Sequence, residues 1–454
     1  MSLDRLLERY ATMSTINRPE SATNLWVNSV GLGSLLLVLP LVGYTGLDPV
    51  QQVLVVMLSA VAPVILLDLC VRRIHRRDSA GLIWSGRRPV SLTRVGVKLV
   101  GMWATLALIG ICYWAFPEYS KPLYQPFWEV LAQYGPLVAL LAIPYFLVID
   151  AHMRDPHDGY WHFGSLVLGA RGTVSRSAVF NHLAGWTIKG YFLPLMFSYL
   201  AGQVSGFHLD LVRVLHQSTF LNFFDVTMDL IFLVDLVFAT AGYTLMLRVL
   251  DSHVRWAEPT AIGWLVAIVC YEPFWNPIAS DYLMYHGPVN WISWLAAYPA
   301  LQILWGSAIL FLMMVYASGG VSFGCRFSNL TNRGIITSGP FRFTKHPQYI
   351  SKNLSWWLFT IPWINPSSPA LAIKQCLLLA GVNGIYYLRA KTEERNLRSD
   401  PVYAAYCDYI DQHGLFAHIR RFLGRSVAPP RATPQLSGSR PIELLPSAGY
   451  LRGH

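Results

Sequence analysis

The chain has 454 residues, of which 54% are hydrophobic and only 13% charged, and its formal net charge is +10. Soluble domains carry roughly 25% charged residues, and the apolar residues here come in runs near about 20, the length that crosses about 30 Å of hydrocarbon. A string of soluble domains is excluded and an all-α polytopic integral membrane protein is expected. The surplus Lys and Arg sit between the apolar runs, as they do on the cytoplasmic loops of membrane proteins, so the charge does not argue for nucleic acid.

Taken in order, a polar, charged stretch precedes the first apolar run near Leu25. No small-residue cleavage site follows that run, so it reads as a retained first span. About ten spans are expected, near 25–45, 50–71, 96–116, 127–149, 178–202, 223–247, 259–279, 291–316, 350–365 and 370–388. The link after the second span carries Arg72, Arg73, Arg76, Arg77, Arg87, Arg88 and Arg94. The links with Arg154, Arg171 and Arg176, with Arg248 and Arg255, and with Arg326 to Lys345 then fall on the same side. That side is expected to be cytoplasmic, with both termini on it.

Several polar groups within this apolar frame call for a reading. Gly31-Leu32-Gly33 lacks the strand–loop–helix setting of a nucleotide loop and reads as close helix packing. The link from His152 to His162 holds three His and two Asp. Their spacing puts the His residues on no common helix face, and a polar interfacial loop is expected there in place of a metal site. Asp225, Asp229 and Asp235 lie in the sixth span, and ionisable residues in spans are functional candidates by default. Lys189 and His182 in the fifth span are possible partners, and an internal ion pair that fixes helix packing is the plainer reading. Glu272 sits in a Pro-broken stretch and is expected to line a cavity. Lys189, Asp229, Asp235 and Glu272 are thus the candidates for contact with a substrate. Six cysteines are scattered with no C-x-x-C pair, so neither a disulfide framework nor a metal motif is expected.

The most informative stretch runs Gly339-Pro340-Phe341-Arg342-Phe343-Thr344-Lys345-His346-Pro347-Gln348-Tyr349. Gly-Pro marks a turn, and Pro347 suits the first turn of a helix because its missing donor is not needed there. His346 is thereby placed just before a helix at the membrane surface. The hairpin returns to Arg389-Ala390-Lys391-Thr392-Glu393-Glu394, where Arg389 and Glu393 share a helix face. A basic and an acidic cluster should meet at one depth. Interfacial anchoring by such residues is the plainer alternative.

This pattern resembles the signature of the isoprenylcysteine carboxyl methyltransferase and phospholipid methyltransferase superfamily: G-P-[FY]-R-x-x-[RK]-H-P-x-Y, a short apolar hairpin, then R-x-x-x-E-E and a closing Y-x-x-Y at Tyr403 and Tyr406. The resemblance spans roughly Leu310 to Ile410. It implies S-adenosylmethionine as cofactor on the cytoplasmic side and a membrane lipid or lipidated acceptor entering from the bilayer. It implies cofactor contacts from Lys345, His346, Pro347, Tyr349, Arg389, Glu393 and Glu394, with Gly339 and Arg342 shaping the loop. No catalytic residue is singled out. Lys345 where Arg is usual, Ser351 where Gly is usual and Phe341 where Tyr is common mark a divergent branch. A related branch of nicotinamide-dependent sterol reductases shares the span count but carries R-H-x-N-Y at this position, which this chain lacks.

The expected organisation is a membrane region of about six helices over 1–255, a methyltransferase-like core over 256–420 with a cytoplasmic cofactor-binding hairpin, and a disordered Pro-rich tail over 421–454. A membrane reductase using NADPH and a non-catalytic lipid-binding or transport protein are the alternatives.

Overall fold

Apolar helices in this chain start where short polar side chains can hold the first amides. Asn24, Asp48, Ser91, Ser175, Thr219 and Ser368 each accept a first-turn backbone N–H. The computed structural model describes residues 17–86 and 88–423. The tail expected to be disordered lies, from residue 424 on, outside the described residues.

The helices are α1 (Leu25–Val42), α2 (Pro49–Cys70), α3 (Leu92–Ala115), α4 (Gln125–His152), the short α5 (Gly159–Val167), α6 (Arg176–His216), α7 (Phe220–Thr244), α8 (Ala261–Ile268), α9 (Pro299–Phe323), α10 (Pro347–Thr360), α11 (Pro369–Leu397), α12 (Pro401–His413) and α13 (Leu415–Phe422). Among the described residues, six helices are long and apolar enough to cross a membrane: α1, α2, α3, α4, α9 and α11. The protein is therefore all-helical and membrane-embedded. The long α6 and α7 pack against each other at the centre, with α7 also against α9 and α2. Gly31 lets α1 approach α2 closely, since a Cβ there would overlap the Ala60 carbonyl, whereas nothing lies near Gly33.

Four of the ten expected spans, at 178–202, 223–247, 259–279 and 350–365, are not among these six helices, and the one at 291–316 is shifted along the chain. The segment 259–279 holds the eight-residue α8, about 12 Å long at 1.5 Å per residue, which ends before Pro273, and then only the start of a short irregular helical stretch from Trp275. The segment 291–316 becomes helical in earnest only at Pro299. The fourteen-residue α10, about 21 Å long, stops at Ile361, whose φ is 40°.

The basic links gather at one end of the bundle. Arg77 donates to the Ala22 carbonyl, Ser79 to Asp251, and Arg154 pairs with Asp78. Trp256–Ala257 (β1) pairs antiparallel with Thr331–Asn332 (β2) in the same layer. Arg326 pairs with buried Asp251 at 2.7 Å. Arg333, 2% exposed, donates to the carbonyls of Ser252, Gly242, Phe327 and Cys325. A guanidinium with five donors can satisfy that many carbonyls at once. It ties the 324–334 loop to the end of α7, and that loop borders the site.

A second ionic knot holds α3 to α4. Lys98 and Asp150 are both fully buried and 2.9 Å apart, Arg94 reaches Asp150 at 2.6 Å, and Asp158 lies 3.6 Å from Lys98.

Candidate active site

The loop that opens the site is shaped by Gly339, whose φ of 62° favours glycine and whose missing side chain leaves room for Ser322 Oγ. The turn that follows buries Phe341, and Tyr406 of α12 donates to the Phe341 carbonyl at 2.6 Å. Burial pushes the Tyr406 phenol above its ordinary value, so it stays a neutral donor. Pro347 then starts α10 and leaves His346 at its cap.

On the facing helix, α11, the acidic cluster arrives at the same depth. His346 Nε2 lies 3.2 Å from Glu394 Oε1, and its Nδ1 is 3.8 Å from Glu393. The Tyr349 hydroxyl bonds to Glu393. His346 and Tyr349 stack with ring centres 5.5 Å apart and planes 7° apart. Arg389, 4% exposed, reaches Asn329 Oδ1 at 2.6 Å, lies 3.4 Å from Glu393 and sits between the rings of Tyr349 and Tyr271. Its buried Nε has no hydrogen-bond partner. The two clusters meet side chain to side chain.

Three cavities share these residues. A polar one of 130 Å³ lies under the 324–336 loop and touches His346, Tyr349, Arg389 and Glu393. One of 460 Å³ lies between α10, α11 and the end helices and touches Lys345, His346, Tyr349 and Glu394. A third, of 550 Å³, runs among the helices and is lined by Asp235, Glu272, Tyr316, Lys352, Tyr349 and Arg389, with aromatic walls between. Small-molecule sites occupy about 300–1,000 Å³, so the two larger cavities are of ligand size and the smallest falls below that range. Tyr349 lines all three.

Other expected residues land elsewhere. Arg342 is exposed and lies over Phe343, 4.6 Å from its ring centre, away from these cavities. Lys345 borders the 460 Å³ cavity while paired with Asp411 at 2.9 Å. Asp235 lines the 550 Å³ cavity and accepts from Tyr316 at 2.6 Å, and Glu272 lines it too. Asp229 is held by Gln203 at 2.7 Å and does not line it. The pairing of Lys189 or His182 with these acids is not what forms. Lys189 contacts the Thr244 carbonyl and the Trp186 ring in a separate cavity, and His182 meets Thr105 at 2.9 Å. Both lie near the basic end of α6, whereas Gln203 is fourteen residues, about 21 Å, further along that helix.

In the 152–162 link the three His rings diverge. His152 packs against Trp84, His157 against Trp161 with the rings tilted 58° apart, and His162 accepts from the Ser175 amide. Among the described residues no group of His, Cys, Asp and Glu is arranged to hold a metal ion.

Asn329, Tyr271 and Lys352 were not singled out by the sequence. Asn329 and Tyr271 carry no local signal, because each reaches Arg389 from a different link or broken segment. Lys352 did leave one: an ammonium three residues after Tyr349 in a short apolar helix. It lies among the rings of Tyr316, Trp356 and Tyr386, 5.1–5.6 Å from their centres.

The fold and the site define a membrane-embedded helical protein with a cluster of charged side chains at one end that borders a cavity among its helices. Residues 300–399 match the model of the isoprenylcysteine carboxyl methyltransferase (ICMT) family, a stretch that takes in α10, α11 and the His346–Glu394 constellation. No curated protein and no solved structure matches the chain. The family match points to a membrane methyltransferase.

Proposed function

We propose that the protein transfers a methyl group from S-adenosylmethionine to a lipidic or membrane-associated acceptor. The observation that carries this reading is the wall formed by Tyr349 and Arg389, which is common to the 130 Å³ cavity at the basic end and to the 550 Å³ cavity among the helices. A cofactor on one side and an acceptor on the other would meet there.

The donor set fits the cofactor. S-adenosylmethionine carries a carboxylate, an ammonium and two ribose hydroxyls, which need both donors and acidic acceptors. Glu393 and Glu394 supply the acceptors, and Arg389, Asn329 and His346 supply donors. When bound, the cofactor supplies an electrophilic methyl carbon on a sulfonium.

The chain's own contribution is positioning and exclusion of water. Glu393 and Glu394 hold Tyr349 and His346 in place through their bonds, and Arg389 is locked by Asn329 and two ring faces. Such rigidity favours a near-attack geometry. The aromatic walls of the 550 Å³ cavity, among them Trp275, Trp356 and Tyr386, would strip water from an acceptor end. Lys352 has no carboxylate within ion-pair distance among the described residues, which suits an acceptor carboxylate or thiolate. An amine acceptor would instead use Asp235, whose Oδ1 has no partner. The basic end would face the cytoplasm, where the cofactor is.

The test is calorimetry of the purified full chain with S-adenosylmethionine and, separately, with NADPH, followed by incubation of membranes with methyl-labelled cofactor. The expected result is binding of the first compound and label in the lipid-soluble fraction, lost in His346→Ala. Binding of NADPH alone, or label only on small water-soluble products, overturns the proposal.

A further inference from the structure

A fourth cavity, of 310 Å³, lies at the basic end between the last turns of α4, the start of α5, the first half of α6 and the link after α7. All of its lining residues fall between Tyr145 and Arg255, outside the stretch that matches the methyltransferase family. Its volume is at the lower edge of the range for small-ligand sites, about 300–1,000 Å³.

Its lining is one-sided in charge. Lys189, Arg248, Arg255 and His253 border it, and the one carboxylate among its lining residues, Asp158, already lies 3.6 Å from the fully buried Lys98. Lys189 has no carboxylate within ion-pair distance among the described residues; it touches the Thr244 carbonyl at 3.3 Å and the Trp186 ring. The Arg248 guanidinium donates only to the Ala80 carbonyl at 3.2 Å. Arg255 has Asp400 at 4.0 Å, the outer limit of an ion pair. Burial, with Arg248 and Arg255 next in effect, pushes the pKa of His253 down to about 3, so its imidazole is neutral, and its buried Nδ1 has no partner. A cleft bordered by basic residues, whose one carboxylate is taken up by Lys98, carries a field of one sign that favours an anionic occupant.

We propose that this cavity binds a phosphate group, as a free phosphate ester or as the headgroup of an anionic phospholipid. The three basic residues that border the cavity come from separate places: the first half of α6, the 248–250 turn and the residue just before β1. Positive charge drawn from several elements suits a tetrahedral oxyanion better than a flat carboxylate that a single guanidinium fork would clasp. The remaining wall is aromatic and apolar, with Tyr145, Tyr160 and Trp186, and would take the rest of an amphiphile. The site is independent of the methyltransferase reading.

The experiment uses the purified full chain in an uncharged detergent. Calorimetric titrations compare sodium phosphate with sodium chloride at equal ionic strength, and dioctanoyl phosphatidate with dioctanoylglycerol. The expected result is binding of phosphatidate, phosphate or both in preference to the phosphate-free control. Phosphatidate alone assigns a lipid headgroup, and binding of inorganic phosphate as well assigns a soluble source. Lys189→Met and Arg248→Gln should each weaken binding at least about tenfold, as expected for one lost charge-assisted bond, and Lys189→Arg should stay within about threefold of wild type. Arg255 is left intact because it also faces Asp400. Should Lys189→Met fail to fold, Arg248→Gln and Lys189→Arg still decide the question. No preference over the controls in the wild type, or wild-type binding in the charge-removing variants that fold, overturns the proposal.

Discussion

The guanidinium of Arg389 lies 5.1 Å from the centre of the Tyr349 ring, and these two residues wall off the polar cavity at the basic end from the cavity among the helices. Tyr349 opens α10 and Arg389 lies in the last turns of α11, so the wall depends on the two helices meeting at one depth. A small change in either residue should therefore affect both sides at once.

Replacing Arg389 by Lys keeps the charge but loses the planar fork that reaches Asn329 and stacks between two rings. Such sites do not treat the two residues as equivalent. Methyl transfer is expected to fall at least about tenfold, in keeping with the loss of one charge-assisted bond, while extraction and gel-filtration behaviour stay normal. Wild-type turnover in Arg389→Lys would place this residue outside the reacting site.

The double variant Glu393→Gln, Glu394→Gln removes both acidic acceptors from the site. Each lost charge-assisted bond is worth about 1.5–3 kcal/mol, so affinity for S-adenosylmethionine in calorimetry should drop by a factor of ten or more. Unchanged affinity would remove the pair from the cofactor site.

At Gly339 a methyl group meets both a φ of 62° and Ser322 Oγ. Gly339→Ala should cost on the order of 1–2 kcal/mol, since left-handed backbone penalises a Cβ by about that much. The loop before His346 would shift, and cofactor affinity would fall with it. The companion Gly33→Ala, in open space within α1, should cost nothing and can gain up to about 1 kcal/mol of helix propensity. Equal unfolding temperatures for the two variants would contradict this account.

Lys98 is fully buried and shares Asp150 with Arg94. Lys98→Met leaves Asp150 with one cation and Asp158 with none. Breaking a buried pair on one side costs about 3–5 kcal/mol, and the surviving Arg94 bond puts the expectation at the lower end of that range. Thermal unfolding in detergent measures it. Partial restoration of stability by Asp158→Asn in the same background is expected, because it removes the uncompensated charge.

The pH dependence follows from His253, outside the spans, whose pKa is lowered from 6.5 to about 3. Above pH 6.5 the imidazole is neutral in both folded and unfolded chains and the stability it supports is fully present. As pH falls from there toward about 3, the unfolded chain takes up a proton that the folded one refuses, and stability is lost progressively. His253→Gln should flatten that part of the profile, read as unfolding midpoint between pH 7 and pH 4. A wild-type slope in the variant would assign the loss to other groups.

From the sequence alone came the membrane-embedded helical class, the resemblance of the C-terminal third, and the meeting of His346 and Tyr349 with Arg389, Glu393 and Glu394. These were legible because they rest on one-dimensional quantities: the length of apolar runs, Pro at a helix start, and residues four apart on one face. Depth in a membrane is nearly a linear coordinate, so two clusters flanking a short hairpin must come back to the same level.

Only the tertiary structure decided what lies across from them. Asn329 and Tyr271 reach Arg389 from a loop and from a broken segment whose path no periodicity reports. Arg342 turns outward onto Phe343, Lys189 lines a cavity of its own, and Asp229 takes Gln203 as its partner. Those outcomes depend on how far each helix is rotated and slid against its neighbours, which is set by close packing over the whole bundle. Hydropathy is blind to such rotations, because an apolar helix in a membrane is apolar on nearly every face.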